Sequence, residues 1–417
     1  MRHYLLFRTQ SVPNRTIKNA LLSPKILEEM KILFVIDTYE TNNNGTSISA
    51  QRFAHELRKR GHEVMILTQG EPGEHRFTVP KFNMPIFQSL MDKHDFNFAR
   101  FFGKETLDTI HQAVNWADIV HCFMPFPLET TAQRYAQKIN KPCTGAFHIQ
   151  PENLTSSVNL GKVKWVNEGF YSQFRTHVYN YFRHVHCPSS FMANMLKEHG
   201  FTAKLHVISN GIQDEFLQAG HRNMEHGHPK KSPEYEGKIL IMMVGRLAGE
   251  KRQDVLINAV QHSRYADKIQ LIFAGHGPKH DEYVALGKQL PHPPQFVYKT
   301  RDELIALLSQ ADLYVHASDM ESEAIACIEA FAVGLVPVIA NSDLSATPQF
   351  ALDGRSLFKP GDAKDLARAI DYWLDHPNEK AYIEHLYQKT AKHYSLENSV
   401  SRFEEMLHEE IADCAQA

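Results

Sequence analysis

Two acidic side chains, eight residues apart, stand where the sequence changes from a strand pattern to a helix pattern. Glu321 follows the apolar run 311–317, and Glu329 precedes a second apolar run, 336–340. This order predicts strand, loop, helix and strand, with Glu321 in the loop and Glu329 in the helix. Open α/β sheets bind ligands at such strand-to-helix edges. Carboxylates roughly 10 Å apart, from about 1.5 Å of rise per helical residue, would suit hydroxyls at both ends of an extended ligand such as a nucleotide sugar.

Two cationic side chains occupy the equivalent place after another predicted strand, residues 238–244. Gly245 leads into a turn that carries Arg246 and Lys251 and then enters a helix. Arginine offers a planar fork to phosphate oxygens, lysine offers a mobile point charge, and the helix N-terminus adds a dipole that favours anions. The pattern predicts a turn that binds a diphosphate. The alternative interpretation is two solvated cations at the start of a helix.

Together these stretches resemble the signatures of the retaining glycosyltransferases of family four, which have the GT-B fold. Glu321 and Glu329 match the Glu-x7-Glu motif of that family, and residues 245–251 match its Gly-Arg-x4-Lys motif. The resemblance spans about residues 30–400 and is strongest over 244–340. It implies an α/β protein of two Rossmann-like, doubly wound parallel-sheet domains that face a central cleft.

The resemblance also implies a reaction and a role for each catalytic residue. A hexose would move from a nucleoside-diphosphate sugar to an acceptor with retention of the α-anomeric configuration. Arg246 and Lys251 would stabilise the departing diphosphate, and Glu329 would hold the ribose. Glu321 would hold the sugar hydroxyls, while His148 would hydrogen-bond the sugar from the first domain.

Other positions match the family at places that would line the donor. They are Gly45, Thr46, Asn210, Gly245, Gly275, Gly277, Tyr298, Ala324 and Ile325. Gly45 stands alone where the family usually has two adjacent glycines, and Tyr298 is assigned to the nucleobase by its position only. The glycines of residues 274–278 either let the backbone approach the ligand or form a tight turn.

Two departures from the family pattern concern the donor. Glu323 and Ala324 replace the Phe-Gly or Gly-Leu pair of many relatives, so Glu323 either contacts the sugar or faces solvent. The chain also has no Asp-x-Asp triplet, which glycosyltransferases that hold a diphosphate through a metal usually need. We therefore expect metal-independent catalysis without a cofactor, in which the two cations and backbone N–H groups stabilise the leaving group.

Length and composition are those of a two-domain globular protein. The chain has 417 residues, which exceeds one typical core, and its 43% hydrophobic and 22% charged content is ordinary for a soluble protein. Its five cysteines are odd in number and scattered, without the spacing of a disulfide framework or a metal site. This pattern indicates a reducing compartment, and we expect a cytoplasmic protein. No nucleic-acid-binding motif is found.

The alternation of strand and helix patterns predicts four segments. They are an N-terminal extension of unclear role at 1–29, an acceptor-binding domain at 30–215, a donor-binding domain at 216–395, and a C-terminal helix at 396–417 that packs back toward the first domain. The stretch 218–237 is polar and contains glycine and proline, which predicts a link between the domains.

Charge and aromatic residues are unevenly distributed along the chain. Residues 1–210 hold 24 Lys and Arg against 17 Asp and Glu, whereas residues 211–417 hold 21 against 31. Two aromatic stretches with interspersed cations, 82–102 and 161–183, lie in the basic half. They predict either an interface with an anionic membrane or a part of the first-domain core.

These features favour a lipid acceptor, such as diacylglycerol or ceramide, at the inner face of the cell membrane. UDP-glucose or UDP-galactose is the favoured donor. Two alternatives stay open: the same enzyme class with a polysaccharide or soluble acceptor, and a non-catalytic scaffold that binds a nucleotide sugar. The presence of both acids and both cations favours an active enzyme over a scaffold.

Overall fold

Seven strands form the sheet of the first half of the chain. The computed structural model describes residues 29–40, 45–82, 98–156, 161 and 163–416. The strands are β1 (Lys31–Val35), β2 (Glu63–Gln69), β3 (Arg76–Val79), β4 (Ile119–Cys122), β5 (Cys143–Ala146), β6 (His184–Cys187) and β7 (Lys204–Val207). Their order is β3-β2-β1-β4-β5-β6-β7, and each neighbouring pair is parallel. Successive strands are added on one side of β1 up to β3 and on its other side from β4 onward, as in a doubly wound sheet.

Helices cover both faces of this first sheet. They are α1 (Gly45–Lys59), α2 (Lys104–Trp116), α3 (Pro127–Lys138), α4 (Pro151–Ser156), α5 (Lys164–His177) and α6 (Ser190–Glu198). The strands β1, β4, β5 and β6 are buried almost throughout, which explains their continuous apolar runs. Two clusters of buried residues, one on each face of the sheet, form the core of this domain.

The second half repeats the architecture with six parallel strands. They are β8 (Ile239–Val244), β9 (Ile269–Ala274), β10 (Gln295–Val297), β11 (Leu313–His316), β12 (Pro337–Ala340) and β13 (Leu357–Phe358), in the order β10-β9-β8-β11-β12-β13. The accompanying helices are α7 (Asp214–His226), α8 (Gln253–Val260), α9 (His280–Gly287), α10 (Arg301–Gln310), α11 (Ile325–Ala332), α12 (Ala363–Asp375) and α13 (Pro377–Ala391). The predicted fold class, two doubly wound parallel-sheet domains, is confirmed.

The last helix, α14 (Leu396–Gln416), returns to the first sheet. Phe403 lies at the centre of its buried face, where its ring makes edge-on contacts with Phe34 and Phe53 at centroid distances of 5.9 and 5.1 Å. Glu404 on the same helix lies 2.9 Å from His62 Nε2. The stretch 379–413, for which the sequence predicts a helix, forms two helices, α13 and α14. The second of them covers one face of the first sheet.

One expected element and one expected surface differ from the structure. The stretch 218–237 is not an extended link, because α7 occupies its first part and buries Phe216 and Ala219 in the second core. Four aromatic residues of 161–183 (Tyr171, Phe174, Tyr179 and Phe182) belong to the first-domain core, as the alternative interpretation held. The N-terminal extension up to residue 28, and residues 83–97 of the other aromatic stretch, lie outside the described residues.

Candidate donor site

The two predicted motifs meet at the point where the second sheet reverses its strand order. The loop after β8 carries Arg246 and Lys251, and the loop after β11 carries Glu321; the two strands are adjacent and parallel. Because parallel strands end at the same edge, both loops open on one crevice, where doubly wound sheets bind their ligands. Sequence spacing predicted the two loops separately, and the strand order brings them together.

An ion pair joins the two loops at this crevice. Lys251 Nζ lies 2.6 Å from Glu321 Oε1, and His316 Nε2 lies 2.9 Å from the same oxygen. Burial alone would raise the pKa of the Glu321 carboxyl, but the Lys251 ammonium and the His316 hydrogen bond outweigh burial and hold the pKa well below its usual range. Glu321 is therefore a fixed carboxylate that accepts hydrogen bonds. Its side chain and that of Lys251 are mostly buried, so their pairing is only weakly screened by solvent.

Further contacts make the base of the crevice rigid. The Asp319 N–H donates to the Glu250 carbonyl at 2.8 Å, and Arg252 Nη1 lies 3.1 Å from Asp319 Oδ2. Arg252 adopts a left-handed conformation, with φ of 57°, between a short turn at Gly249–Lys251 and helix α8. These bonds fix the backbone that carries Lys251 relative to the loop that carries Glu321.

Three predicted glycines let the loops after β8 and β9 pack closely. A Cβ atom at Gly275 would lie 2.1 Å from the Gly245 carbonyl oxygen, and one at Gly277 would lie 2.4 Å from the Leu247 oxygen. A Cβ atom at Gly245 would lie 4.0 Å from the side-chain carbons of Lys251. Of the two interpretations of residues 274–278, the close turn therefore has direct support. These glycines support the backbone beneath the two cations.

Arg246 and Glu329 flank the Lys251–Glu321 pair with different partners. Arg246 is half-exposed, and its guanidinium lies 2.8 Å from Glu250 Oε1. Glu329 lies in α11, as predicted, and accepts from Arg52 Nη2 of the first domain at 3.4 Å. Burial raises the pKa of Glu329, and the Arg52 charge partly opposes that effect. A ligand can displace either contact, because the Arg246–Glu250 pair is partly exposed to solvent and the Arg52–Glu329 contact is long.

Glu323 does not face solvent but is hydrogen-bonded to the segment that joins the two domains. It is 2% exposed and accepts hydrogen bonds from the Asn210 N–H at 3.0 Å, from the Asn210 side-chain amide at 2.7 Å, and from the Ser209 hydroxyl. Burial raises the pKa of Glu323 to about 7, with these hydrogen bonds acting in the opposite direction. Glu323 thus ties the donor loop to the chain that connects the two domains; the expectation that it faces solvent is wrong, and a contact with the sugar stays a prediction.

Ala324 sits in a conformation that favours glycine. Its φ is 72° and its ψ is 61°, immediately before helix α11 begins at Ile325. A side chain in this left-handed region costs roughly 1–2 kcal/mol. This conformation gives a physical reason for a glycine near this position in many relatives, since glycine adopts it without a side-chain clash.

The first domain contributes the opposite wall of the crevice. Gln150 Nε2 lies 3.4 Å from the Glu321 carbonyl oxygen, and the Ser189 hydroxyl donates to the Ser322 carbonyl at 2.6 Å. His148, just after β5, is 6% exposed, and its Nε2 has no hydrogen-bond partner among the described residues. Burial and the neighbouring His186 hold the pKa of His148 well below its usual range, so its imidazole is neutral.

The remaining predicted positions are less constrained. Gly45 is the first residue of α1, and a Cβ atom there would meet open space; Thr46 follows it in the same helix. Asn44, the preceding loop residue, lies outside the described residues. Tyr298 follows β10 and is strongly exposed, without a contact to Lys251 or Glu321. The roles assigned to these residues stay predictions.

Comparison with known families decides the class of this protein. A family model described as Glycosyltransferase Family 4 matches residues 43–216, and one described as Glycosyl transferases group 1 matches residues 225–392. The chain belongs to the GT-B glycosyltransferases of family four. The two matches fall largely within the two sheet domains of this glycosyltransferase.

Known proteins resemble this glycosyltransferase over different lengths. A GDP-mannose-dependent alpha-mannosyltransferase from Corynebacterium glutamicum is 24% identical over 326 residues, which are 76% of this chain and 73% of that protein. Alr3699/HepE from Anabaena, in complex with UDP, shares the fold with a TM-score of 0.70 at 16% identity, over 91% of this chain and 100% of that chain. The catalytic domain of cholesterol-alpha-glucosyltransferase from Helicobacter pylori is 46% identical over 37% of this chain and 99% of that chain, with a TM-score of 0.35.

Three side chains of the glycosyltransferase site were not identified from the sequence. His316 bonds Glu321, Arg52 bonds Glu329, and Gln150 reaches the donor loop across the crevice. A polar residue at the end of an otherwise apolar strand is a signal that could have identified His316. Arg52 gives no such signal, because a cation on a helix normally faces solvent.

Proposed function

We propose that this glycosyltransferase transfers a hexose from a nucleoside diphosphate to a lipid, with retention of the anomeric configuration and without a metal. The observation that carries the donor part is the contact of Lys251 with Glu321 at the crevice. A buried ammonium paired with a buried carboxylate is costly to maintain for stability alone. The pair is well suited to open around a ligand that brings both a diphosphate for the cation and hydroxyls for the acid.

The charges around the crevice suit the development of negative charge on a leaving diphosphate. Lys251 and Arg246 can approach its oxygens, and α11, whose first N–H groups could also donate, begins four residues after Glu321. Such donors stabilise a departing anion, and the loss of one typically costs on the order of 10²–10³ in rate. This arrangement supports a reaction in which the departing oxygen accepts the proton of the acceptor hydroxyl on the same face of the sugar, which retains the configuration.

His148 would supply a neutral hydrogen-bonding group on the sugar from the first domain. Its Nε2 is buried without a partner, and leaving such an atom unpaired costs roughly 1–3 kcal/mol. A sugar hydroxyl at this position would remove that cost. The bonds of Gln150 and Ser189 to the donor loop keep the two walls close, which limits the access of water to the reacting centre.

The donor is proposed to be UDP-glucose or UDP-galactose, with GDP-mannose as the second candidate. Alr3699/HepE has been solved with UDP-glucose, whereas the relative from Corynebacterium glutamicum is named for GDP-mannose. Thermal-shift measurements with UDP-, GDP- and ADP-sugars would identify the nucleobase, since a ligand stabilises the state that binds it. Release of free nucleoside diphosphate with and without EDTA would then test turnover and metal independence. Loss of all turnover in EDTA at an unchanged melting temperature, restored by added Mg²⁺ or Mn²⁺, would contradict metal-independent catalysis.

A membrane lipid is proposed as the acceptor because aromatic and cationic side chains remain exposed on the first domain. Trp165 is 79% exposed beside Lys164 at the start of α5. Phe102 is 47% exposed, and the Arg100 guanidinium lies 5.8 Å from its ring centre. Aromatic rings with adjacent cations favour the headgroup layer of a membrane. No helix among the described residues has the length and hydropathy to cross a bilayer, so the proposed contact is with the membrane surface.

Co-sedimentation with vesicles tests the membrane contact. Vesicles of phosphatidylcholine with and without phosphatidylglycerol would be compared at low and high salt. We expect Trp165→Ala to lower the bound fraction, while Tyr382→Ala, which removes a 64% exposed aromatic ring from α13 of the second domain, leaves it unchanged. No binding by the wild type would favour a soluble or polysaccharide acceptor, whereas equal binding by all three proteins would show that Trp165 does not contribute to the membrane contact.

Transfer to a lipid panel separates the remaining alternatives. Diacylglycerol, ceramide and a sterol would be presented in vesicles, and the product would be hydrolysed with glycosidases of known anomeric specificity to determine retention. A non-catalytic scaffold would show a thermal shift with a nucleotide sugar but neither hydrolysis nor transfer. Transfer to a soluble sugar at a higher rate than to every lipid would overturn the proposed acceptor while leaving the donor assignment intact.

A further inference from the structure

A cluster of histidine and acidic side chains lies far along the sequence from the donor loops, at the edge of the first sheet. His184 begins β6, His206 lies in the edge strand β7, and Glu409 projects from α14. His184 Nδ1 lies 2.8 Å from His206 Nε2, and Glu409 Oε2 lies 3.8 and 3.7 Å from these two atoms. Three potential ligand atoms thus converge on one point.

The three distances are close to those of a tetrahedral transition-metal site. Zinc binds imidazole nitrogen and carboxylate oxygen at about 2.0–2.2 Å, which separates ligand atoms by roughly 3.3–3.5 Å around a tetrahedron. One observed distance is shorter than this range and two are longer. Shifts of about half an ångström in each side chain would centre an ion, and a water molecule would take the fourth position.

The hydrogen bonds of the cluster also suit a metal. His184 Nε2 lies 2.9 Å from Asp413 Oδ2, which holds the proton on Nε2 and leaves a lone pair on Nδ1. A histidine ligand normally has such an outer carboxylate on its second nitrogen. Metal binding would replace the hydrogen bond between the two rings, with the single proton of the neutral His206 ring moving from Nε2 to Nδ1.

Lys204 opposes metal binding in the present arrangement. Its ammonium lies 2.5 Å from Glu409 Oε2 and therefore neutralises the carboxylate that a metal would use. Glu410 and Asp413 add negative charge near His184, and Arg183 pairs with Glu410 at 3.6 Å. A divalent ion would have to displace Lys204, whose long, exposed side chain can move into solvent without strain.

From these observations we propose that His184, His206 and Glu409 form a binding site for a divalent transition metal, with Zn²⁺ as the reference ion. The site would join α14 to strands β6 and β7 and so fix the helix that follows the donor domain onto the first domain. Its role would be structural, since none of its residues contacts the donor crevice. Imidazole with one carboxylate favours zinc, nickel or copper over calcium or magnesium.

Calorimetric titration of the full chain with ZnCl₂, after removal of metal with a chelator, tests the site. We expect one ion per chain, a higher melting temperature with the ion, and at least ten-fold weaker binding in both His206→Ala and Glu409→Gln. His206 and Glu409 are chosen because His184 is buried in the first domain, where a substitution would also disturb packing. His221→Ala serves as the matched control, because His221 lies 3.4 Å from Glu225 on the exposed face of α7.

Lys204→Ala gives the sharpest outcome, because the proposal predicts tighter binding in this variant. A purely structural ion pair between Lys204 and Glu409 would give lower stability and no gain in metal affinity. Binding of zero ions by the wild type, or equal affinity in the wild type, His206→Ala and Glu409→Gln, would overturn the proposal. Weaker binding in His221→Ala than in His206→Ala would likewise place the ion elsewhere.

Discussion

The carboxylate of Glu323 accepts two hydrogen bonds from Asn210, one from its backbone N–H and one from its side-chain amide, at 3.0 and 2.7 Å. Asn210 lies between the last strand of the first domain and the first helix of the second. Glu323 lies two residues after Glu321 in the donor loop. The buried Glu323 side chain therefore links the junction between the domains to the loop that carries Glu321. A shift of either segment must be accommodated by the other.

The stability of the protein should depend on pH through Glu323. Its folded-state pKa of about 7 exceeds the ordinary glutamate value of 4.5, so between these values the folded state holds more protons than the unfolded state. Stability is then highest at low pH and falls as pH rises through the window, by on the order of 3 kcal/mol for this group. Urea unfolding of the wild type and Glu323→Gln between about pH 5 and pH 8 measures the difference. A difference that is independent of pH would contradict this prediction.

Comparison with Glu323→Gln is needed because other groups titrate in the same range. Burial raises the pKa of Asp37 to about 6, and its loss of a proton also lowers stability as pH rises. That contribution is common to both proteins and cancels in their difference. Only the part of the pH dependence of the unfolding free energy that is lost in Glu323→Gln is due to Glu323.

Lys251→Ala should lower kcat by ten-fold or more. The substitution removes a charge that the leaving diphosphate is proposed to use, and it leaves Glu321 buried with only His316 as a partner. Release of nucleoside diphosphate measures the rate. Lys279→Ala is the matched control, since Lys279 is exposed and pairs only with Glu282 on the neighbouring helix. A Lys251→Ala rate close to that of the wild type would refute the diphosphate assignment.

His148→Phe should separate a catalytic contact from a structural one. The His148 ring stacks against Phe123 at a centroid distance of 5.9 Å, and its Nε2 has no partner, so a phenyl ring can replace it without loss of a hydrogen bond. We expect an unchanged or slightly higher melting temperature together with at least ten-fold lower kcat/KM. A large loss of stability with normal activity in the remaining folded protein would assign His148 to the core instead.

Ala324→Gly should stabilise the protein or leave its stability unchanged. The substitution relieves the left-handed backbone of Ala324 but increases the entropy of the unfolded chain, and the net gain is about 1 kcal/mol at most. Thermal unfolding measures the effect. Ala330→Gly in the middle of α11 is the control, because there glycine should cost about 1 kcal/mol or more. Destabilisation by Ala324→Gly equal to that of the control would show that the conformation carries no strain.

The fold could be predicted well because its signals are local. The apolar runs 238–244, 311–317 and 336–340 correctly predicted β8, β11 and β12, and Glu329 lies in a helix as expected. The domain link was misplaced because α7 has a polar exposed face, and its tie to the second core is made by few apolar residues. The composition of such a helix is dominated by its exposed polar residues, so it gives little indication of the few residues that pack against the core.

The aromatic stretch 161–183 shows the same limit for surfaces. Period and composition do not distinguish Phe174, which packs in the core, from Trp165, which is exposed nine residues earlier. The orientation of α5 on the sheet decides which ring is buried. That orientation depends on contacts with residues distant in sequence, such as Tyr171 with His199.

By itself the sequence determined the class of the protein, the two doubly wound sheets and the loops that carry Lys251 and Glu321, because strand periodicity and turn chemistry act over a few neighbouring residues. Only the tertiary structure decided the partners of those side chains. Glu323 meets Asn210 across 113 positions of sequence, and His184 meets Glu409 across the domain that separates β6 from α14. Such contacts depend on how sheets and helices are arranged in space, and no local pattern of residues encodes that arrangement.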